Sequence, residues 1–424
     1  MRLTILLIPA VLMVLAPMQT ARALDEAHRQ KAEASIAKAI EYFRSVQKPD
    51  GSWAPVSDRP GAEMMSVAIT GLVLRSMLLD PKIDHTDPAV KKGLEYLLKN
   101  QQPDGGIYNK ILANYQTSIS LMALGLVRDA DPRYQKAVKR AQAFLKTIQS
   151  IQGRKDAKGN VIDEDHPHRG GQGYHPDKTK GSKHGRPDLN NTVHFIKGMI
   201  ESGYNCNDPA IREAILFASR LQGIKANELA DKIEPGGGFI YAPSVNEDNI
   251  GVLQSPAGEY TDAQGVSRLR TYGTMTHAGF MAFILHQMDP KDPRMKAAYN
   301  WIRNNYTLEQ NPGMVNKAST EKDERYQGYY YYLHLFARSL RAWTDMPGRS
   351  GDPQAGKTLI TTPDGKTHDW ANEIIEKVVS LQDENGTWSN KKHDRWMEGD
   401  RHLATAYAVL ALRSATQKVP NGQE

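Results

Sequence analysis

Three groups of side chains in this 424-residue sequence are of types that can do chemistry. The first is aromatic. Tyr326 precedes a run of four consecutive tyrosines, Tyr329, Tyr330, Tyr331 and Tyr332. On a helix such a run covers every side, so some of the rings must face whatever the helix encloses. Aromatic faces stabilise cations by roughly 0.5–2 kcal/mol each, and Tyr272 and His277 occupy a comparable stretch. The same residues also suit plain core packing, with His277 and His334 as satisfied core histidines. The second group is the charged run around Trp396: Asp394, Arg395, Glu398, Asp400, Arg401 and His402. An indole among charges can hold a sugar ring or an isoprenoid, and it can equally be part of a salt-bridged cap. The third group is Asp163, Glu164, Asp165, His166, His168, His175 and His184. Carboxylates and imidazoles this dense can bind zinc or a related ion, but their spacing matches no metal signature. They are read as a solvated loop, and no metal and no cofactor is expected.

The elements that must position these groups alternate between two kinds. One is amphipathic: Ile36, Ile40, Phe43 and Val46 keep helical spacing among charged residues. The stripe recurs at Val90–Gln101, Tyr134–Ile148, Ile211–Leu221, Met295–Ile302 and Trp370–Leu381. Four of these six begin after Asp-Pro, at Asp87, Asp131, Asp208 and Asp292. The Asp side chain can accept from free N–H groups of the first turn, and proline has the right φ and no donor to lose. The other kind is apolar almost all round: Ser66–Leu79, Thr117–Val127, Asn191–Ile200, Thr276–Met288, Tyr329–Leu340 and Ala404–Arg413. A helix without a polar face must be covered on most sides. The pattern is a six-fold helical-hairpin repeat with outer and inner helices. Two polar insertions, 154–187 and 242–270, interrupt it and are expected to be loops at a mouth of the assembly.

Residues 1–23 resemble an export signal: Arg2, an apolar run from Leu3 to Leu15, and Ala21-Arg22-Ala23 before Leu24. The run is broken by Pro9 and falls short of the ~18–20 residues needed to cross a bilayer. The mature chain, 24–424, is expected to be one domain, periplasmic or secreted, without an integral membrane segment. Loss of Arg2 and Arg22 lowers the formal charge from +6 to about +4. That excess is too small to argue for nucleic acid, and Cys206, the single cysteine, excludes an internal disulfide and a thiolate metal cluster.

A polar turn joins each outer helix to its inner partner. Gln47, Asp50, Gly51 and Trp53 form the first; Gln101, Asp104, Gly105 and Tyr108 the second; Gln222, Gly236 and Phe239 the fourth; Gln382, Asn385, Gly386 and Trp388 the sixth. Asp-Gly and Asn-Gly turn the chain where φ must be positive, and the aromatic is expected to cover the end of a neighbouring helix. At the third and fifth turns only Gln149 and Asn305 remain. Lys38, Ala39, Tyr42, Gln47, Gly51 and Trp53 resemble the QW motif of terpene cyclases and the related repeat of protein prenyltransferase β subunits. Partial copies follow at Lys92–Gly105 and Arg140–Gln149, and the resemblance spans nearly the whole mature chain. It implies an all-α fold, an (α/α)6 toroid whose six inner helices surround a central cavity.

The resemblance also implies that reactive groups lie near the starts of the inner helices. Asp188-Leu189-Asn190-Asn191-Thr192 is similar to the acid motif of squalene-hopene cyclase, except that Asn190 stands where the proton-donating Asp would be. An amide cannot supply that proton, and Asp188 is as well suited to capping a helix. The zinc site of the prenyltransferases has no counterpart, because Cys206 comes after the third inner helix. Asp188, Asp400 and His402 are the candidate catalytic residues. Glu63, Asn190, Asn191, Tyr272, His277, Tyr326, Tyr330 and Trp396 are the candidate ligand contacts, with Glu63, Asp188 and Asp400 expected to converge on the cavity. Three functions remain open: a cyclase-like enzyme or binder for an apolar, isoprenoid-type ligand, a non-catalytic scaffold toroid, and a glycan-active toroid lyase or hydrolase.

Overall fold

The computed structural model describes residues 24–57, 60–156, 158–174, 185–245, 249–315, 322–346 and 356–416; the expected signal segment, His175 and His184 lie outside them. The described residues form twelve long helices: α1 (Glu26–Val46), α2 (Ser66–Leu78), α3 (Pro88–Lys99), α4 (Ala113–Leu124), α5 (Pro132–Thr147), α6 (Leu189–Glu201), α7 (Pro209–Arg220), α8 (Gly273–Leu285), α9 (Pro293–Asn304), α10 (Tyr329–Thr344), α11 (Trp370–Ser380) and α12 (Arg401–Thr416). The even-numbered helices are the apolar ones, and each packs on the next, with α12 returning to α2. The odd-numbered helices lie outside, α3, α5, α7, α9 and α11 each packed on the inner helix that precedes it in the chain, and α1 packs on α11 and α12. The chain is therefore a closed all-α toroid with one continuous core. Closure is what lets helices such as α8, buried along nearly its whole length, be covered on every side.

The outer helices start as their sequences require. Asp87, Asp131, Asp208 and Asp292 each accept a backbone N–H of the first turn, with proline following. Asp25 and Asp369 cap α1 and α11 in the same way.

What locks one repeat to the next is a buried amide. Gln47 Nε2 donates to Gly51 O at 3.0 Å, within its own turn, and to Ala89 O at 2.8 Å, on the next outer helix. Gln101 does the same to Gly105 and Ala137, and Gln222 to Gly237 and Arg294. Gln149 reaches Gly170 and Ala210. Its turn is therefore intact, with an insertion inside it, rather than rebuilt. Gln382 joins Gly386 to Ser35 on α1, which closes the ring. The turn glycine has to be glycine: at Gly51 φ is +90°, and an added Cβ would lie 2.2 Å from Lys92 O.

The aromatic of the turn does not cover a helix end. Trp53 lies fully buried between α1 and α3, donating Nε1–H to Phe43 O at 2.7 Å and packing on Gly93. Trp388 repeats this with Val378 O at 2.8 Å. The turn's main chain is held in turn by a threonine on the inner helix. Thr70, Thr117, Thr192, Thr276 and Thr405 each accept an N–H from it at 2.9–3.2 Å.

The joint between α9 and α11 is the exception. Asn305 is one methylene shorter than glutamine, and its Nδ2 turns back to Trp301 O. Exposed and half-buried side chains make this joint instead: Tyr306 with Glu373 at 2.9 Å, Lys377 with Glu309 at 2.5 Å, and Arg303 with Thr361 O at 2.6 Å. An open groove lies there.

The described part of the second insertion is more ordered than a loop. Region 242–270 holds two antiparallel hairpins, β1 (Ala242–Ser244) with β2 (Ile250–Gln254) and β3 (Glu259–Thr261) with β4 (Ser267–Leu269). A third hairpin, β5 (Leu359–Thr361) with β6 (Thr367–Asp369), leads into α11. Glycines at positive φ, Gly258 and Gly265 among them, make these short strands turn. In 154–187, Asp156 accepts from Lys158 N and Asn160 N, and His168 is buried against Ser244 Oγ at 2.8 Å.

Candidate functional site

The starts of the inner helices surround a cavity of ≈ 210 Å³. Its aromatic lining is Tyr115 from α4, Tyr272 before α8, Tyr331 from α10 and Tyr407 from α12, with Tyr174, Tyr241 and Trp396 from the connecting segments. Met65, Leu112, Met275, Met397 and Leu403 complete the apolar wall, and Thr274, Asn190 and Glu398 are its polar members.

The phenol hydroxyls are largely satisfied by one another. Tyr115 and Tyr407 share a hydrogen bond of 2.9 Å, Tyr174 and Tyr241 one of 3.1 Å, and Tyr331 donates to Asn190 Oδ1 at 2.8 Å. The groups that would attract water are thus tied up inside the wall, and mainly carbon faces the space. Burial drives Tyr115 up to about 12 and Tyr331 and Tyr407 well above the ordinary phenol range, so all three are neutral donors.

Glu398 is the one carboxylate in the described lining. It exists there because α10 starts on Gly328, at φ +61° and without a side-chain cap. The free N–H groups of that first turn must find an acceptor elsewhere. Glu398 supplies it from the segment before α12: Oε1 accepts from Tyr331 N at 2.8 Å, and Oε2 from Tyr330 N at 3.2 Å and Asn390 Nδ2 at 2.9 Å. Burial pushes its carboxyl up to about 7 despite those donors.

Below the tyrosines the ring axis is polar. Along α6, Asn190, His194, Lys197 and Glu201 follow one another at helical spacing, and along α10, Tyr331, His334 and Arg338 do the same. His194 packs on Tyr115 and Tyr331, and His334 on Tyr331 and Tyr407, so an imidazole layer underlies the phenols. Deeper still, Glu201 pairs with Arg75 of α2 at 2.7 Å and with Arg338 of α10. Burial alone would raise the Glu201 carboxyl, but Arg338, Arg75 and Lys197 together hold it down to about 2. Lys197 falls to about 7, first through burial and then through Arg338. This cluster ties three inner helices across the closed end of the ring and does not border the cavity.

Tyr331 and Glu398, from the tyrosine run and the charged run around Trp396, line the cavity; of the candidate catalytic and ligand-contact residues, Asn190, Tyr272 and Trp396 do. The others do not. Asp188 is fully buried as the cap of α6, accepting Asn191 N at 2.8 Å and Asn191 Nδ2 at 2.7 Å, and burial raises it to about 6. Asn191 is spent on that contact and on accepting from Asn114 Nδ2 at its carbonyl. Asp400 caps α12 through His402 N and Leu403 N and also accepts Val56 N. His402 donates its Nδ1–H to Ala54 O at 2.7 Å, since a carbonyl can only accept. His277 is a core histidine, bonded to Ser339 Oγ at 2.7 Å and packed on Tyr332 and Phe336. Tyr330 is buried against Tyr329, Tyr326 meets Lys392, and Glu63 is exposed in a short 3-10 turn. Glu63, Asp188 and Asp400 therefore do not converge, because each serves a separate helix start or faces water. Among the described residues no group of His, Cys, Asp and Glu is arranged to hold a metal ion. Tyr115, Tyr174, Tyr241 and Tyr407 were missed, and Glu398 was named only as one charge of the run around Trp396. The available signal for Glu398 was the uncapped Gly328-Tyr329-Tyr330-Tyr331 start, which demands an acceptor from elsewhere.

A profile of the squalene-hopene cyclase C-terminal domain matches residues 55–179. The squalene–hopene cyclase of Zymomonas mobilis is 30% identical over 141 residues, 30% of this chain and 21% of that enzyme, so the match spans about a fifth of the relative's length. A type II terpene cyclase from Scytonema, solved with geranylgeranyl dihydroxybenzoate, superposes with a TM-score of 0.52 at 15% identity, over 94% of this chain and 100% of that one. An unsaturated glucuronyl hydrolase specific for heparin superposes with a TM-score of 0.55 at 12% identity, over 92% and 97%. The chain is similar to squalene-hopene cyclases in sequence over under a third of its length, and its fold is a terpene cyclase-like toroid that an unsaturated glucuronyl hydrolase also resembles.

Proposed function

We propose that this terpene cyclase-like toroid acts outside the cytoplasm, after removal of residues 1–23, and binds a small apolar ligand of isoprenoid type in the cavity at the inner-helix starts. The observation that carries the reading is the lining: seven aromatic and five other apolar side chains, with most phenol hydroxyls bonded within the wall. At ≈ 210 Å³ the space is smaller than the ~300–1,000 Å³ of drug-sized sites, which favours a short chain over a C30 polyene.

Binding is favoured over acid-initiated cyclisation. Protonating an alkene needs a strong acid, and burial makes both candidates weak: Glu398 titrates at about 7, and Asp188, at about 6, stands outside the lining. A two-carboxylate glycan hydrolase needs its carboxyls ~5–9.5 Å apart across a sugar, and the described lining offers one carboxylate. The test is titration of the mature protein with geraniol, farnesol and geranylgeraniol, followed through Trp396 emission. Saturable binding, tightest for the shorter alcohols and without turnover, is expected. Absence of binding, with retention of an oligosaccharide from a glycan extract instead, overturns the reading.

A further inference from the structure

Glu398 is 1% exposed, and its three hydrogen-bond donors are all neutral. An ionised carboxylate in a dry site without a countercharge is costly, and the α10 N-terminus offsets only part of that cost. A carboxylate has about four acceptor positions. On Glu398 three are filled by Tyr330 N, Tyr331 N and Asn390 Nδ2, and the Tyr329 N–H also bears on the carboxyl, so no donor there carries a charge. The side chain borders the cavity, and its charge reaches two of the facing tyrosines, raising both Tyr115 and Tyr407.

Phenol rings carry π-systems that attract cations by roughly 0.5–2 kcal/mol per ring, the more when water is excluded. An aromatic box closed by one unpaired carboxylate is complementary to a positive charge that is poorly hydrated, such as an alkylated ammonium. Beside a neutral hydrocarbon Glu398 is held toward its protonated form, whereas a cationic ligand stabilises the ionised carboxylate. We propose that the occupant of this cavity carries an ammonium or quaternary ammonium group, held between Glu398 and the rings of Tyr115, Tyr331 and Tyr407, with its hydrocarbon part against Met65, Leu112 and Leu403. The proposal rests on the apolar-ligand reading and names the charge that the ligand adds to it.

The cations around the site do not supply that charge. Arg186, 5.6 Å from the Tyr241 centroid, donates to Ser244 O and to Gln254 Oε1 at 2.7 Å. Arg395 stacks 5.1 Å from the Trp396 centroid and donates to Gln327, so it occupies the indole and leaves the tyrosines. Arg338 lies seven residues along α10 from Tyr331, about 10 Å deeper at 1.5 Å per residue, and is paired with Glu201.

The experiment compares geranyltrimethylammonium with geranyl tert-butyl ether, which is neutral and of similar shape, by calorimetry on the wild-type mature protein. The ammonium is expected to bind about tenfold tighter or better. In Glu398→Gln, which keeps an acceptor for Tyr331 N, the gap is expected to close to within about threefold. Equal or tighter binding of the ether by the wild type overturns this proposal while leaving the apolar-ligand reading standing. Failure of both to bind overturns both. The wild-type comparison decides even if the variant does not fold.

Discussion

Gln382 and Ser35 hold the two ends of the chain together. The amide of Gln382 donates to Ser35 O at 2.9 Å and accepts from Ser35 Oγ at 2.8 Å, joining the last outer helix to the first across 347 positions of sequence. Gln382→Leu removes both bonds and leaves buried carbonyls of Ser35 and Gly386 short of a donor. A loss of about 1–3 kcal/mol is expected. Urea unfolding of the variant checks it; an unchanged midpoint would mean that helix packing alone closes the ring.

Glu201 is expected to matter more. It is the single described carboxylate among Arg75, Lys197 and Arg338, and removing it leaves buried positive charge uncompensated. Glu201→Gln should cost about 3–5 kcal/mol, read as a fall in thermal midpoint. Replacing Arg75, Lys197, Glu201 and Arg338 together by leucine or methionine should cost much less than the single change, because no charge is then stranded.

Stability should fall on acidification. His194 and His277 are held down to about 3 by burial, His168 to about 4, and His334 well below its usual range. Below the unfolded histidine pKa of about 6.5 the unfolded chain takes up protons that the folded one refuses, so this stability is present above about pH 6.5 and lost as pH falls. Asp188 and Glu398, raised by burial, act in the opposite sense: their contribution is full below the unfolded carboxylate range and is lost as pH rises through about 6 and about 7. Four groups against two give a lower melting temperature at pH 5 than at pH 7. His277→Phe should flatten the slope by up to about 1.4 kcal/mol per pH unit.

Asn190→Asp tests what the cavity tolerates. The new carboxylate would accept from Tyr331 as Asn190 does, but in an apolar site it would be ionised only at a cost. Binding of geraniol should weaken by about tenfold at pH 8 and recover at pH 5, where the carboxyl is neutral. Equal affinity at both pH values would place the side chain outside the bound ligand's reach.

The ring was legible in the sequence because its signals are local. Asp87-Pro88 and its counterparts announce helix starts, and fully apolar stretches such as Thr276–Met288 announce helices covered on all sides. Glutamine and glycine four apart mark the joints at Gln47, Gln101 and Gln382. The cavity was less legible because its polar members are defined by partners far along the chain. Glu398 enters it to satisfy N–H groups 67 and 68 positions away. The Tyr115–Tyr407 bond spans 292 positions. Asp188 and Asp400 were visible as carboxylates at helix starts, and that placement is the reason they are occupied as caps and unavailable to a ligand. The hairpins of 242–270 escaped because strands of three to five residues leave too short an alternation to detect.

Five buried amides and one surface-made joint give the toroid the mechanics of a split washer. Strain applied anywhere on the circle collects where Asn305 fails to reach across, and the bonds that give way there, Lys377–Glu309 and Tyr306–Glu373, are ones that water can replace. The circumference can thus widen by a small amount without unwinding any helix. Other seams carry surface ion pairs too, Arg44–Asp87 and Lys146–Asp208 among them, but an amide backs each of those, so added salt should quicken amide exchange more at the start of α11 than at α3 or α7.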